Sequence, residues 1–294
     1  MKHKKRTLGD WVFDIFNYLL MIMIAFATLY PFLHVFFSSF SDSTKLVEHT
    51  GLMLRPAGFS LAGYKAVFQN ADIYIGYGNT IFYVVVGTVL STFLTALFAY
   101  PLSHKRLKYG SFLNKMVVVT MFFSAGMIPL YIIVRNLHLL NTRWSTILPG
   151  AISAYNVLIM KTAYMGVPDS LEESARLDGA NEFQSFIRII LPNVKANIAV
   201  MVLFYGVGIW NSWFSALLYI TDRNKYPLQL FLREILISSS SKEMGNYAVT
   251  SETAFLEEVI KHATTVVATV PILMIYPFIQ KYFIKGAMIG AVKE

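Results

Sequence analysis

Six long stretches without a single Asp, Glu, Lys or Arg constrain this sequence more than any other feature. Spanning roughly 30 Å of hydrocarbon takes about 20 apolar helical residues, and each stretch is close to that length. In hydrocarbon every backbone amide needs a partner inside the protein, so such a segment forms a helix. The sequence therefore predicts an all-α, polytopic membrane protein with six transmembrane helices, within residues 15–41, 73–103, 116–134, 144–160, 196–221 and 263–280.

The composition agrees with this class and argues against several kinds of chemistry. Hydrophobic residues make up 55% of the chain and charged residues 14%, whereas a soluble domain carries about a quarter charged residues. There is no cysteine, so neither a disulfide framework nor a thiolate metal site is available. The six histidines are scattered without a metal-ligand spacing. We therefore predict no metal site and no catalytic residue.

The positions of the basic residues predict the orientation of the chain in the membrane. With the N-terminus in the cytoplasm, 15 of the 25 Lys and Arg residues fall on the cytoplasmic side, including the runs "KHKKR" and "HKRLK". Short loops follow the positive-inside rule most reliably. We therefore interpret the net charge of +8 as a topology signal, with both termini cytoplasmic, and predict a lipid bilayer rather than nucleic acid as the partner. The first segment follows a basic tail and is too long for a signal-peptide core, so it is predicted to be an uncleaved anchor.

The chain is predicted to form one membrane domain over residues 13–286, between cytoplasmic tails at 1–12 and 287–294. Outside the membrane, segment 42–72 contains the amphipathic run "LAGYKAVF", which we expect on the membrane surface. The last outside loop, 222–261, contains "YPLQLFLREILI" and then the polar "SSSSKEMGN". A short helix followed by a mobile stretch is predicted there.

A charged segment interrupts the apolar pattern at residues 168–193, with the sequence "PDSLEESARLDGANEFQSFIRIILPN". Asp169 or Ser170 can cap a helix, and Glu172 or Glu173 three residues later completes a capping box. Gly179 supplies the left-handed position that ends a helix. A second helix is then predicted before Pro192, with an apolar stripe formed by Phe183, Phe186, Ile187 and Ile190. The segment is thus predicted to be a helix, a glycine turn and a helix.

The charge of this segment favours a protein partner over a lipid surface. Between residues 169 and 182 there are five acidic side chains and one arginine, a net charge of −4 that an anionic membrane surface disfavours. Small residues would allow a close approach to a groove on another protein, and two leucines could supply apolar anchors. The residues predicted to make this contact are Leu171, Glu172, Glu173, Ser174, Ala175, Arg176, Asp178 and Gly179.

The same segment carries a resemblance to a known family. Glu173-Ser174-Ala175, Gly179, and then Ile189, Leu191 and Pro192 resemble the EAA loop, E-A-A-x3-G-x9-I-x-L-P, of permease subunits of binding-protein-dependent ABC importers. The spacing fits throughout, and Ser174 in place of the first alanine is one small residue for another. The motif stands, as in that family, in the loop before the penultimate span.

The resemblance extends over essentially the whole chain. "WNSWFSALLYI" and the C-terminal "KYFIKGAMIGAVKE" are similar to sugar-importer permeases of the maltose-transporter G-subunit type. "TRWSTILPGAISAYN" and "YPLQLFLREILI" resemble a subgroup associated with the uptake of oligo- and polysaccharides, including alginate and pectin fragments. The resemblance implies the type I ABC importer permease fold and a subunit that moves a carbohydrate into the cytoplasm by alternating access.

The resemblance also implies the partners. They are a second homologous permease, two cytosolic ATPase subunits and an extracytoplasmic solute-binding protein, assembled in the bacterial cytoplasmic (inner) membrane. The EAA loop, residues 167–192, would be the coupling helix seated in a cleft of one ATPase. The sequence has no Gly-Lys dipeptide, so it lacks the G-x-x-x-x-G-K-[ST] loop that cradles nucleotide phosphates. We therefore expect no cofactor on this chain, with ATP and Mg on the partner ATPase subunits.

A path for the solute is predicted from uncharged polar and aromatic residues in the spans. Sugars present apolar ring faces and hydroxyl edges, which suit aromatic platforms beside amides and hydroxyls. Trp and Tyr also mark the membrane interface, and small polar residues also join helices, so packing is the alternative explanation. The predicted solute-path residues are Asn79, Tyr155, Asn156, Tyr205, Trp210, Asn211 and Trp213.

Two other classes of membrane protein would show different sequence features. A secondary transporter would have a buried ionisable residue near the middle of a span and an inverted internal repeat. An intramembrane enzyme would need a nucleophile with its base, or metal ligands, inside the spans. The sequence shows none of these clearly, which favours a non-catalytic permease subunit.

Overall fold

The structure is a computed structural model that describes the backbone of residues 8–244 and 251–291 and the side chains of residues 8–237, 256–275 and 277. Within these ranges the regular elements are helices, accompanied by one isolated antiparallel bridge. The predicted all-α class is confirmed.

The chain divides into two compact units. One takes in the chain up to Asn70 together with Ile235–Thr269, and the other takes in Ala71–Glu234 with the chain from Val270 onward. The predicted domain boundaries at residues 13 and 286 stay predictions. Parts of both predicted tails, residues 1–7 and 292–294, lie outside the described residues.

The first unit begins with three helices, α1 (Leu8–Ser39), α2 (Ser43–Glu48) and α3 (Ala62–Gln69). The most apolar 18-residue window of α1 has a mean hydropathy of 2.1, yet none of it is buried. Such a helix is stable only where hydrocarbon, or another apolar surface, replaces water around it. Asp42 caps α2 by accepting hydrogen bonds from two backbone N–H groups, which also hold the pKa of its carboxyl below the ordinary value.

The run predicted to lie on the membrane surface forms α3, which packs on the first unit through Gly63 and Val67. A Cβ at Gly63 would lie 2.7 Å from Cγ1 of Val259, so only glycine permits this close approach. Leu46 and Met53 join Val259 in the buried apolar cluster of this unit.

The second unit contains ten α-helices in the part of the chain that the structure describes between residues 71 and 219. The first five are α4 (Ala71–Ser103), α5 (Gly110–Phe122), α6 (Met127–Asn136), α7 (Trp144–Ile147) and α8 (Ala154–Met165). The next five are α9 (Asp169–Leu177), α10 (Glu182–Ser185), α11 (Leu191–Asn193), α12 (Lys195–Trp210) and α13 (Phe214–Tyr219).

Shorter turns join some of these helices, and two long helices follow. Leu148–Gly150 and Arg223–Lys225 are 3₁₀ turns, and Phe186–Ile190 is a π-helical stretch between α10 and α11. The last two helices are α14 (Leu228–Met244) and α15 (Ser251–Ala291).

The predicted number of six spans is not confirmed. Among the described residues, three helices are long and apolar enough to cross a membrane, or up to five if each bent pair of helices counts as one span. The window at 116–134 is divided between α5 and α6, which meet at 113°. The window at 144–160 is divided between α7, a 3₁₀ turn around Pro149, and α8, because proline and glycine interrupt the helical hydrogen bonds there.

Helix α4 is the centre of the second unit. It packs along α8 and α12, and the three helices share a buried apolar cluster with the π-helical stretch. The face that α4 buries is rich in hydroxyl and small residues, which let helices approach closely without a large side chain between them. Its buried polar residues are Asn79, Thr80, Thr88, Ser91, Thr92 and Thr95.

The last outside loop differs from the prediction of a short helix and a mobile stretch. Helix α14 continues through "SSSSKEM" to Met244, so the predicted mobile stretch is helical up to that residue. Serine is only a moderate helix breaker, and backbone hydrogen bonds already propagating from the apolar first part can extend through it. Residues 245–250 lie outside the described residues.

Two glycines of α4 provide a matched test of this packing. A Cβ at Gly76 would lie 2.9 Å from the Cα of Leu228 and 2.9 Å from a ring carbon of Phe231, whereas a Cβ at Gly78 meets nothing within 4 Å. We expect Gly76→Ala to lower the free energy of unfolding by about 1–3 kcal/mol, because the backbone of α14 cannot move aside cheaply.

Gly78→Ala is the control, and it should leave stability unchanged or raise it by up to about 1 kcal/mol, because alanine favours a helix over glycine. Thermal unfolding of the purified protein in one detergent would measure both. Equal melting temperatures for the two variants would contradict the described packing of α4 against α14.

Candidate functional site

The segment at residues 168–193, called the hairpin below, folds as a helix, a tight turn and a second helical stretch. Gly179 has φ +82°, so the predicted left-handed position is confirmed. The N–H of Ala180 donates to the carbonyl oxygen of Ala175 at 2.9 Å, the bond that closes a helix with a left-handed glycine after it. The turn thus ends α9 at a defined residue and reverses the chain.

The predicted capping box at the start of α9 is wrong. Pro168 occupies the N-cap position, and no side chain caps the helix there. The capping box lies instead at the start of α10, where the side chains of Asn181 and Gln184 each accept from the other's backbone N–H. Glu172 cannot reach back to the helix start because its carboxylate is engaged elsewhere.

That carboxylate faces the chain's own α4. It accepts hydrogen bonds from the hydroxyl of Tyr100 and from Nε2 of His104, the latter at 3.0 Å. The Glu172 side chain is only 12% exposed. Burial disfavours its charge, but the hydrogen bonds from Tyr100 and His104 outweigh burial and hold the pKa of Glu172 below the ordinary value. The group is therefore a carboxylate at neutral pH.

The opposite side of α9 is open. Leu177 is 90% exposed and Leu171 is 40% exposed, and Glu173 and Ser174 are exposed as well. A solvated surface helix normally keeps its leucines inside, so two exposed leucines beside an acidic residue are typical of a surface that meets another protein. Ala175 differs, because it is buried by this chain itself rather than left free for a partner.

Arg176 and Asp178 lie at the end of α9 next to the turn. Arg176 pairs with Glu182 at 2.9 Å across the turn and lies 4.0 Å from Glu172. The pair with Glu182 is solvent-exposed and therefore contributes little to stability. Asp178 and Gly179 are exposed. The eight residues predicted for the contact all lie between Leu171 and Gly179, and two of them, Glu172 and Ala175, face inward.

The second half of the hairpin packs into the buried apolar cluster of the second unit. Phe186 and Ile190 of the predicted apolar stripe are buried in the cluster shared by α4, α8 and α12, whereas Phe183 and Ile187 are exposed. The π-helical stretch changes the angular spacing between Phe186 and Ile190 from that of the predicted α-helix. The helical run Glu182–Asn193 then meets α12 at 83°.

Tyr100 and His104 were not predicted as site residues. They stand four residues apart, Tyr100 in the last turn of α4 and His104 directly after it, a spacing that brings both to one side of the helix end. That spacing was the available signal. Nothing in the sequence joins them to Glu172, which lies 72 residues after Tyr100.

The structure does not gather the predicted solute-path residues into one cavity. Asn79 is buried, and its amide nitrogen donates to the carbonyl oxygens of Asn224 and Tyr226 while its amide oxygen accepts from Arg143. The side chain therefore fixes the 3₁₀ turn before α14. Its role in a solute path stays a prediction.

The aromatic residues of the predicted path have different surroundings. Tyr205 is buried, with its hydroxyl 2.6 Å from that of Thr95, and it accepts from the N–H of Ser153. Trp213 stacks under the guanidinium of Arg233 at 4.4 Å. Of the remaining members, Asn156 and Trp210 are buried, and Tyr155 and Asn211 are exposed.

A cavity of about 460 Å³ lies beside these residues without including them. Helix α12 contributes Gly208, the turn after it contributes Ser212, and α13 contributes Ser215, while α4 contributes Tyr83 and Ser91. Among the described residues that line this cavity, none is charged. Hydroxyls next to apolar walls can hold an uncharged polar solute without the cost of burying an ion.

Comparisons with known proteins give relatives over the full length of the chain. No protein-family model matches it. The polygalacturonan/rhamnogalacturonan transport system permease protein YtcP of Bacillus subtilis is 42% identical over 282 residues, which cover 96% of this chain and 98% of that protein. The arabinooligosaccharides transport system permease protein AraQ of Halalkalibacterium halodurans is 27% identical over 297 residues, which cover 100% of both chains.

A solved structure is similar as well. A chain of a bacterial ABC transporter involved in the import of the acidic polysaccharide alginate matches with a TM-score of 0.85 and 29% identity, covering 96% of this chain and 100% of that chain. Identity of 42% along nearly the whole of two chains shows common family membership. Together with the long apolar helices, it makes this protein an integral membrane protein that belongs to the permease proteins of carbohydrate ABC transport systems.

Proposed function

We propose that this chain is the transmembrane permease subunit of an ABC importer that carries an oligosaccharide or polysaccharide fragment into the cytoplasm. The proposal is supported above all by the 42% identity, over 96% of the chain, to a permease whose name includes polygalacturonan and rhamnogalacturonan transport. The alginate importer is a second relative associated with an acidic polysaccharide.

The proposed assembly contains a second homologous permease, two cytosolic ATPase subunits and an extracytoplasmic solute-binding protein. ATP and Mg belong to the ATPase subunits. The assembly lies in the bacterial cytoplasmic membrane, with both termini of this chain in the cytoplasm. This orientation puts the runs "KHKKR" and "HKRLK", and the hairpin, on the cytoplasmic side.

The hairpin is the proposed site of ATPase docking. Its outward face carries exposed Leu171, Glu173 and Leu177, and its other half is buried in the core with α4, α8 and α12. A partner that moves α9 therefore pushes on packed helices rather than on a free loop. To hold an inward-open or an outward-open state firmly by this contact, the ATPase must bind the two states with affinities that differ by several kcal/mol.

Substitutions on the outward face test the docking. We expect Gly179→Arg, and separately Glu173→Lys, to reduce both co-purified ATPase and solute uptake by more than about tenfold, because bulk or a reversed charge at a docked surface costs several kcal/mol. The space around Gly179 is open within this chain, since a Cβ there meets nothing within 4 Å. A steric clash at this position, as distinct from the backbone strain of a side chain at φ +82°, must therefore come from a partner.

Gly51→Arg is the matched control, because Gly51 also has a positive φ (+118°) and nothing within 4 Å of a Cβ. An arginine at this position causes a comparable backbone strain, but Gly51 lies far from the hairpin in the sequence. Its ATPase content and uptake should equal those of the unmodified protein. Normal assembly and transport by both hairpin variants would contradict the docking role.

The solute class is tested by uptake. Cells or proteoliposomes with the complete transporter should accumulate labelled oligogalacturonides, rhamnogalacturonan fragments or alginate oligosaccharides in an ATP-dependent way. Free monosaccharides should not compete with the labelled fragment when added in excess. Failure to accumulate any oligosaccharide while the complex hydrolyses ATP normally would refute the proposed class of solute.

A further inference from the structure

Two adjacent glutamates of α9 point in different directions. Successive residues of an α-helix are rotated by about 100° around its axis. Glu173 is exposed, whereas Glu172 is directed inward and is only 12% exposed. The pair therefore cannot share one task, and only Glu173 is placed to meet a docked protein.

One donor to Glu172, Tyr100, lies in the last turn of α4, and the other, His104, directly follows this helix. The hydroxyl of Tyr100 donates to Oε1, and Nε2 of His104 lies 3.0 Å from both carboxylate oxygens. The other ring nitrogen, Nδ1, lies 2.9 Å from the carbonyl oxygen of Tyr100. Both ring nitrogens of His104 thus have a hydrogen-bonding partner in the chain.

The donors are themselves held in place. The ring of Tyr100 packs against the rings of Tyr164 and Phe186, with centroid distances of 5.8 and 4.8 Å. Tyr164 lies on α8 and donates its hydroxyl hydrogen to the carbonyl oxygen of Ala96. Three elements, α4, α8 and the π-helical stretch, therefore fix the position of the hydroxyl that Glu172 accepts from.

We propose that Tyr100, His104 and Glu172 form a latch that holds α9 against the end of α4, so that movement of the hairpin is transmitted to this helix. The inference rests on the proposed function, since it assigns to Glu172 a positioning role in the coupling that the hairpin performs. Glu172 acts through α4 and does not contact the ATPase. Charge-assisted hydrogen bonds of this kind are the strong ones, and leaving a buried partner unpaired is costly.

Removing the latch should separate ATP hydrolysis from uptake without releasing the ATPase. We expect the complete transporter carrying Glu172→Ala or Tyr100→Phe to retain normal ATPase content, while uptake per ATP hydrolysed falls about tenfold for Glu172→Ala. Glu48→Gln is the control, because it removes one negative charge at an exposed position at the end of α2, outside the hairpin. It should leave uptake per ATP unchanged.

A second readout reports position directly. The chain has no cysteine, so Leu177→Cys creates a single site for a spin label at the tip of α9. In the full-length chain in lipid nanodiscs without ATPase, the label should become more mobile with Glu172→Ala or Tyr100→Phe, and not with Glu48→Gln. In a double-mutant cycle, Tyr100→Phe should add nothing to Glu172→Ala, because both remove the same contact.

The outcomes distinguish the latch from the proposed function. If the unmodified protein does not retain the ATPase, the proposed function fails, and the spin label still tests the latch. If Glu172→Ala loses the ATPase as Glu173→Lys does, Glu172 is a docking residue and the latch is wrong. Unchanged coupling and unchanged label mobility in Glu172→Ala would also overturn it.

Discussion

Hydrocarbon offers a backbone amide no hydrogen-bonding partner, and the structure of this protein follows from that constraint. Its long apolar segments are helices that satisfy their own backbone, including α1, whose apolar window has no burial within the chain at all. Charged side chains concentrate in the segments between them. The hairpin at 168–193 is the most acidic of these segments, and its helices α9 and α10 are too short to cross a bilayer.

A second constraint explains how the hairpin keeps its position. A carboxylate taken out of water is stable only when donors surround it. Glu172 meets that condition with Tyr100 and His104, and the aromatic contacts of Tyr100 extend the support into the core. An acidic helix that would be mobile on a water-exposed loop is thereby attached to a transmembrane helix.

Local patterns in the sequence predicted part of the fold and of the hairpin. The apolar windows predicted helices because their length and lack of charge leave few alternatives in a membrane, and Gly179 was recognised because few other residues adopt a left-handed turn. The helix start at Pro168 was misjudged, because Glu172 had a competing partner that local spacing does not reveal. The six windows likewise did not give six uninterrupted helices, since breaks at 123–126, around Pro149 and at 211–213 divide three of them.

Local sequence patterns do not predict contacts between residues that are far apart in the sequence. The bond between Tyr100 and Glu172 joins residues 72 positions apart, and the solute-path residues were chosen by type, without knowledge of which would be used to hold helices together. Asn79 is an example. Its amide could form hydrogen bonds with a sugar, but in the structure it forms them with three residues of the chain itself.

The central claim is that the outward face of α9 is seated on an ATPase subunit. A photo-reactive amino acid introduced at Leu177, which is 90% exposed, tests this most directly in the assembled transporter in its native membrane. The account predicts that illumination joins this chain covalently to the ATPase subunit, at the cleft that receives α9. Cross-linking to lipid alone, or to no protein at all, in a complex that transports normally would contradict it.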